Sequence, residues 1–276
     1  MLKKKFLLGL TTLSLTLGTI NTLPVSASTT DAEQFIPETT IETKQELINT
    51  LKELSDSTEM EAMDDSDKME IVESVFENTT EEAIEEYNDQ IMEELQEGAE
   101  GLDQDELQET GYTSNEVTLS DGRQAEFEAS DVSEDESFIL QGQRLSPYSK
   151  ETKNFGNRRY TATVTFTSYG VTVAKISLAN HYSVGSDGLK MRYTSKSPTE
   201  SYLSVFDIIS ATTETTDSTA PKVGHDINGL GEYTIKSGGS IFSGTKYFEI
   251  RSTIKLVKLD KAKKTASVDQ RYNFLD

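Results

Sequence analysis

Apolar and polar residues alternate most strictly between Arg159 and Tyr182. Thr163, Thr165 and Thr167 interleave with Val164 and Phe166, and a period of two sends the two sets to opposite faces of a strand. Ser168-Tyr169-Gly170 offers a turn, after which the β-branched run resumes at Val171. Ile176, Leu178, Asn180, Tyr182 and Val184 then share one face. Ser186-Asp187-Gly188 turns the chain into Leu189, Met191 and Tyr193. Tyr202 to Ala211 is a further apolar run, and Thr212 to Pro221 reads as a Ser/Thr-rich loop. Tyr233 and Ile235 follow, then a glycine-rich turn over 237–244. Phe248, Ile250, Ser252, Ile254 and Leu256 mark a long strand, Asp260 to Lys264 a basic turn, and Ala266, Val268, Gln270, Tyr272 and Phe274 a last strand. The pattern predicts an all-β part over 150–276, an antiparallel β-sandwich or barrel.

The period changes N-terminal to this. Leu47, Ile48, Leu51 and Leu54 recur at helical spacing behind a capping box read at Thr39 and Glu42. Met60, Met63, Met69, Val72, Val75 and Phe76 give a second stripe, weakened at Asp64-Asp65-Ser66-Asp67. Ala83, Ile84, Tyr87, Ile91 and Leu95 give a third behind Thr79 and Glu82, stopped by Gly98 and Gly101. Leu102 to Thr113 reads as a polar connection. Val117–Leu119 and Gln124–Phe127 flank Asp121-Gly122, a hairpin signal. The fold class is therefore α+β in two parts, an acidic helical segment followed by an all-β domain. The expected divisions are a signal peptide at 1–27, a disordered mature N-terminus at 28–40, an acidic helical region at 41–98, a linker with a β-hairpin at 99–149 and the β-domain at 150–276.

Charge reinforces this division. Residues 28–145 hold 36 Asp and Glu against 5 Lys and Arg, whereas 146–276 hold 12 against 18. The step falls near Gln143–Ser149. An acidic half excludes electrostatic binding of nucleic acid or of an anionic membrane by that half. Its expected partner is a cationic surface, and the basic β half supplies one within the chain. Lys255, Lys258, Lys261, Lys263 and Lys264 are the candidate binding residues, expected to face the acidic helices.

Lys3, Lys4 and Lys5 precede an apolar run from Phe6 to Leu17 and a small-x-small site at Val25-Ser26-Ala27, so cleavage of a secretory signal is expected after Ala27. The chain has no Cys, which removes disulfides, thiol nucleophiles and Cys-ligated metals. The Lys-rich signal, the missing cysteines and the β-rich C-terminal part resemble exported proteins of Gram-positive bacteria. That resemblance carries no motif to which a residue role attaches.

Chemistry is sparse. His181 and His225 are the only histidines. A catalytic reading pairs them as general base or metal ligands with Asp226 as orienter. The plainer reading is one hydrogen-bonded strand histidine and one loop histidine. No nucleophile elbow, phosphate loop or zinc-protease motif occurs, and Asp64–Asp67 and Asp103–Glu106 lack EF-hand spacing. The pattern calls for no cofactor and no metal. It points to a secreted, non-enzymatic protein whose β-domain binds an extracellular target, with the acidic helical half as a solubilising or regulatory pro-segment released at Arg144. Two alternatives are a secreted hydrolase of cell-wall or host polymer, and a membrane-active β-domain in which the 161–167 alternation faces a pore on one side and lipid on the other.

Overall fold

The alternation around Val164 builds the centre of a sheet. The computed structural model describes residues 39–134, 153–197, 199–200, 206–239 and 242–275. They belong to the larger of two units, Ala32–Asp276. The signal segment with Ala27, the residues at 28–38 and Arg144 lie outside the described residues.

Five helices precede the strands: α1 (Lys44–Ser55), α2 (Thr58–Ala62), α3 (Asp65–Glu77), α4 (Glu81–Glu100) and α5 (Gln104–Thr110). The strands are β1 (Tyr112–Thr118), β2 (Gln124–Ser133), β3 (Lys153–Asn154), β4 (Gly156–Ser168), β5 (Val171–Gly185), β6 (Gly188–Lys196), β7 (Thr199–Glu200), β8 (Phe206–Asp217), β9 (Thr219–Ala220), β10 (Asp226–Gly238), β11 (Ser243–Asp260) and β12 (Thr265–Leu275). They form two antiparallel sheets. One has the order β1-β2-β4-β5-β6-β9, with β7 on β5, and the other β3-β12-β11-β10-β8. The protein is thus mostly β with a short helical N-terminal part.

The predicted inward faces are the buried ones. Tyr160, Val164 and Phe166 on β4, Ile176, Leu178 and Tyr182 on β5, and Phe248, Ile250 and Ile254 on β11 are each fully buried. Contacts join the sheets across this core. The rings of Phe127 and Phe274 are 6.0 Å apart and those of Phe166 and Phe248 6.3 Å, and the Tyr233 hydroxyl donates to the Ser177 carbonyl at 2.7 Å. The apolar side of the 161–167 alternation is therefore occupied by the opposite sheet in this fold. The β4–β5 turn puts Tyr169 at φ 50° and Gly170 at φ 80°, two consecutive left-handed residues as a tight hairpin requires.

Several local readings change. The α1 capping box is formed by Thr43 and Glu46, not Thr39 and Glu42, because Ile41 is committed to a parallel bridge with Thr79. The same bridge moves the α4 cap one residue on, to Thr80. The weak point at Asp64 divides the second stripe into α2 and α3, with the Asp64 carboxylate capping α3. Helix α4 continues through Gly98 to Glu100. There the missing Cβ matters for packing, since one on Gly98 would lie 2.7 Å from Phe127 Cε2. The expected polar connection contains α5, anchored by the fully buried Leu107. Thr212 to Asp217 is not loop but the end of β8, held by Thr212 Oγ1 to Glu232 at 2.7 Å and by Thr215 to Thr194 at 2.9 Å.

The charge step coincides with no break in the sheet. β2 lies before it and β4 after it, and they pair over ten residues from Gln124–Thr167 to Ser133–Arg158. The helices share one apolar core with the strands.

Candidate functional site

The strands give the β body two ends. At one end lie the turns 119–123 and 169–170 and Gly239 at the end of β10, and α1, α2, α3 and the start of α4 pack over them, while the rest of α4 runs along β1, β2 and β12. Phe76 of α3 sits against Gly239, whose φ is +102° and whose Cβ would fall 2.3 Å from Phe76 Cδ2. Tyr87 of α4 donates its hydroxyl to Asp121 Oδ2 at 2.5 Å. Asn88 bonds both backbone groups of Ser243, at 2.9 and 3.0 Å. The Tyr169 hydroxyl donates to the Leu51 carbonyl at 3.3 Å.

Beneath this cap, Arg123 pairs with Asp121 through Nη2 and through Nε at 2.9 Å, and donates from Nη1 to the Gly239 carbonyl at 2.6 Å. Burial pushes the Asp121 carboxyl up to about 7, opposed by the Arg123 amide and reinforced by Glu94. Burial likewise lowers Arg123, to about 10. A cleft of about 340 Å³ between Leu54–Glu61 and the turns has Arg123 at its wall, but that guanidinium is already committed.

A second buried charge cluster lies between the sheets. Asp131, fully buried, takes Lys153 Nζ at 2.9 Å, Arg158 Nε at 3.1 Å and the Tyr182 hydroxyl at 3.2 Å. Burial raises the Asp131 carboxyl, but Lys153 and Arg158 outweigh burial and hold it below its ordinary value. Gln270 donates to the Tyr182 hydroxyl at 3.2 Å, which adds β12 to the cluster.

The far end carries the lysines. Lys255 and Lys258 project from β11, and Lys261, Lys263 and Lys264 lie in the turn to β12. The loop at 221–225 is tied beside them. Gly224 N donates to the Leu256 carbonyl and Leu256 N to the His225 carbonyl, each at 2.8 Å, which brings Lys222 into the group. All six lysines are exposed, as are Val223 and Val257. The expectation that they face the acidic helices is overturned for the first four helices. β11 starts beside α4 at Ser243 and is 18 residues long. At about 3.3 Å per residue, the lysine turn is on the order of 50 Å away along that strand. No ion pair joins any of these lysines to a helical carboxylate among the described residues. A pair that does link helix to sheet is Lys246 to Asp89 at 3.8 Å, near the other end.

His181 and His225 are not brought together. His225 is exposed in the 221–225 loop, and the neighbouring Asp226 lies across from Lys255. His181 faces outward from β5, on the other sheet. Its Nδ1 bonds Glu134 Oε1, its Nε2 lies 3.1 Å from Ser195 Oγ, and Tyr193 stacks on the ring at 4.1 Å and 16°. Glu134 also pairs with Arg192. Sequence reasoning singled out His181 but neither Glu134 nor Ser195, which lie 47 and 14 positions away and meet it only through strand pairing.

Asp64 and Asp103 are helix caps, and among the described residues no group of three or more His, Cys, Asp or Glu is arranged to hold a metal ion. Among the same residues no helix is long and apolar enough to cross a membrane. Comparison with protein-family models, with curated proteins and with solved structures finds no match for this chain.

Proposed function

We propose that the protein is a secreted β-sandwich whose lysine end binds an anionic, phosphate-bearing cell surface, with the helical cap permanently in place on the opposite end. One observation carries this reading: six exposed lysines gathered at the end remote from the helical cap, with no carboxylate partner among the described residues. The overall negative charge does not oppose it. The Debye length is about 8 Å at physiological salt, so charges on the cap are screened at the lysine end. Val223 and Val257, 58% and 49% exposed, add apolar contact beside the cations.

In this reading the helical half is not a removable pro-segment. Its loss would expose Asp121 and Arg123 and strip Phe76 and Tyr87 from the core.

Sedimentation with vesicles and with poly(glycerol phosphate) tests the proposal. Binding to phosphatidylglycerol vesicles but not to the polymer identifies a lipid target, and the reverse identifies a polymer. A basic residue near an anionic surface contributes about 1 kcal/mol, so the triple substitution Lys261→Gln, Lys263→Gln, Lys264→Gln should weaken binding roughly 100-fold. Equal binding to phosphatidylcholine, or no change in the triple variant, refutes it.

A further inference from the structure

The outer face of the β1-containing sheet carries a group that the binding proposal does not use. Glu134 directly follows β2, and its backbone N–H is fixed on the Asn157 carbonyl at 2.9 Å. A bulge between β5 and β6 at His181–Tyr182 inserts Arg192 as an extra residue, so that Arg192 and Tyr193 are both exposed. The bulge aims Arg192 at Glu134 and lays Tyr193 on the imidazole. The carboxylate accepts from His181 Nδ1, so the proton belongs on Nδ1 and the lone pair on Nε2. That lone pair faces Ser195 Oγ at 3.1 Å. A serine hydroxyl on a histidine, oriented in turn by a carboxylate, is the arrangement that activates a nucleophile.

We propose that Ser195 is a nucleophile toward esters, with His181 as its general base and Glu134 as the positioning residue. Ser195 Oγ attacks the ester carbonyl carbon while its proton passes to His181 Nε2. The C–O bond to the alcohol breaks, and that alcohol leaves with the proton from His181. Water then attacks the acyl-serine, giving its proton to His181. The acid departs as Oγ takes the proton back. An ester is preferred over an amide because an alkoxide leaves with less assistance than an amine. Arg159, the exposed cross-strand neighbour of His181, has no ion-pair partner among the described residues and favours a substrate with negative charge near the ester.

A fluorophosphonate probe on the full mature chain tests this independently of any surface binding. Attack by Ser195 forms an Oγ–P bond and expels fluoride, with the proton taken by His181. The expected result is a single adduct on the peptide containing Ser195, lost in Ser195→Ala and kept in Ser197→Ala. General-base assistance contributes about 10²- to 10⁴-fold, so His181→Gln should slow labelling by that range at unchanged thermal stability. Glu134→Ala should slow it and Glu134→Asp restore part of the rate. The proposal is overturned by no adduct under conditions that fully label a serine esterase run alongside. Labelling that survives Ser195→Ala, or a rate unaffected by His181→Gln, overturns it equally.

Discussion

At the scale of single residues, Asp131 is the most demanding position. A carboxylate taken wholly out of water is tolerable only with full compensation, and Lys153, Arg158 and Tyr182 supply it. Asp131→Asn leaves two buried cations without their anion and should destabilise the protein by roughly 3–5 kcal/mol in denaturant unfolding. The pH dependence has a definite sign. The folded-state carboxyl is held below its ordinary value of 3.8, so its contribution is fully present above that value and is lost as pH falls through and below it. The acid limb of the thermal stability curve should therefore be shallower in Asp131→Asn than in the wild type. Equal slopes would show that the cluster is not ionised as paired.

At the scale of elements, the helical cap is held by shape more than by charge. Like charges four positions apart on α4, such as Glu81 and Glu85, Glu82 and Glu86, and Glu93 and Glu97, oppose an isolated helix. Packing offsets this. Phe76 contacts Tyr87 edge-on at 5.5 Å and reaches Gly239 in the β10–β11 turn, where a residue without a side chain is required by both the backbone angle and the space. Phe76→Ala should cost roughly 3–5 kcal/mol, whereas Ile209→Ala, at a side chain 58% exposed, should stay within about 0.5 kcal/mol. Similar losses at the two positions, measured by chemical denaturation, would argue that α3 does not anchor the cap.

At the scale of the whole molecule, the helical cap and the lysine turn lie at different ends, yet one core runs through the molecule, and β2 of the acidic half pairs with β4 of the basic half. A single cut engineered after Arg144 should give two pieces on a denaturing gel that migrate together in size exclusion, in 1 M NaCl as in 0.1 M. The ten-residue β2–β4 ladder and the shared core are not screened by salt. Separation of the pieces at high salt would mean that charge, and not packing, joins the halves.

Periodicity alone determined much of this. The alternation in β4, β5, β11 and β12 specified which side chains are buried, because a strand has only two faces and water excludes one set from the core. The i, i+3, i+4 spacing located α1, α3 and α4 for the same reason. The missing cysteines left packing to hold the fold. What lay beyond local reading depended on partners distant in sequence. The Thr-rich end of β8 is strand because Glu232 and Thr194 accept and pair with it. The caps shifted because Ile41 bridges Thr79. Asp131 stood in an acidic stretch that resembled a solvated surface, and only the β2–β4 and β4–β5 registers put it against Arg158 and Tyr182. Those registers, with that of β5 on β6, joined Glu134, His181 and Ser195, and strand direction carried the lysines away from the cap they were expected to meet. Charge and hydrophobicity are written residue by residue, but which charges meet is set by register and strand direction, and those exist only in the folded chain.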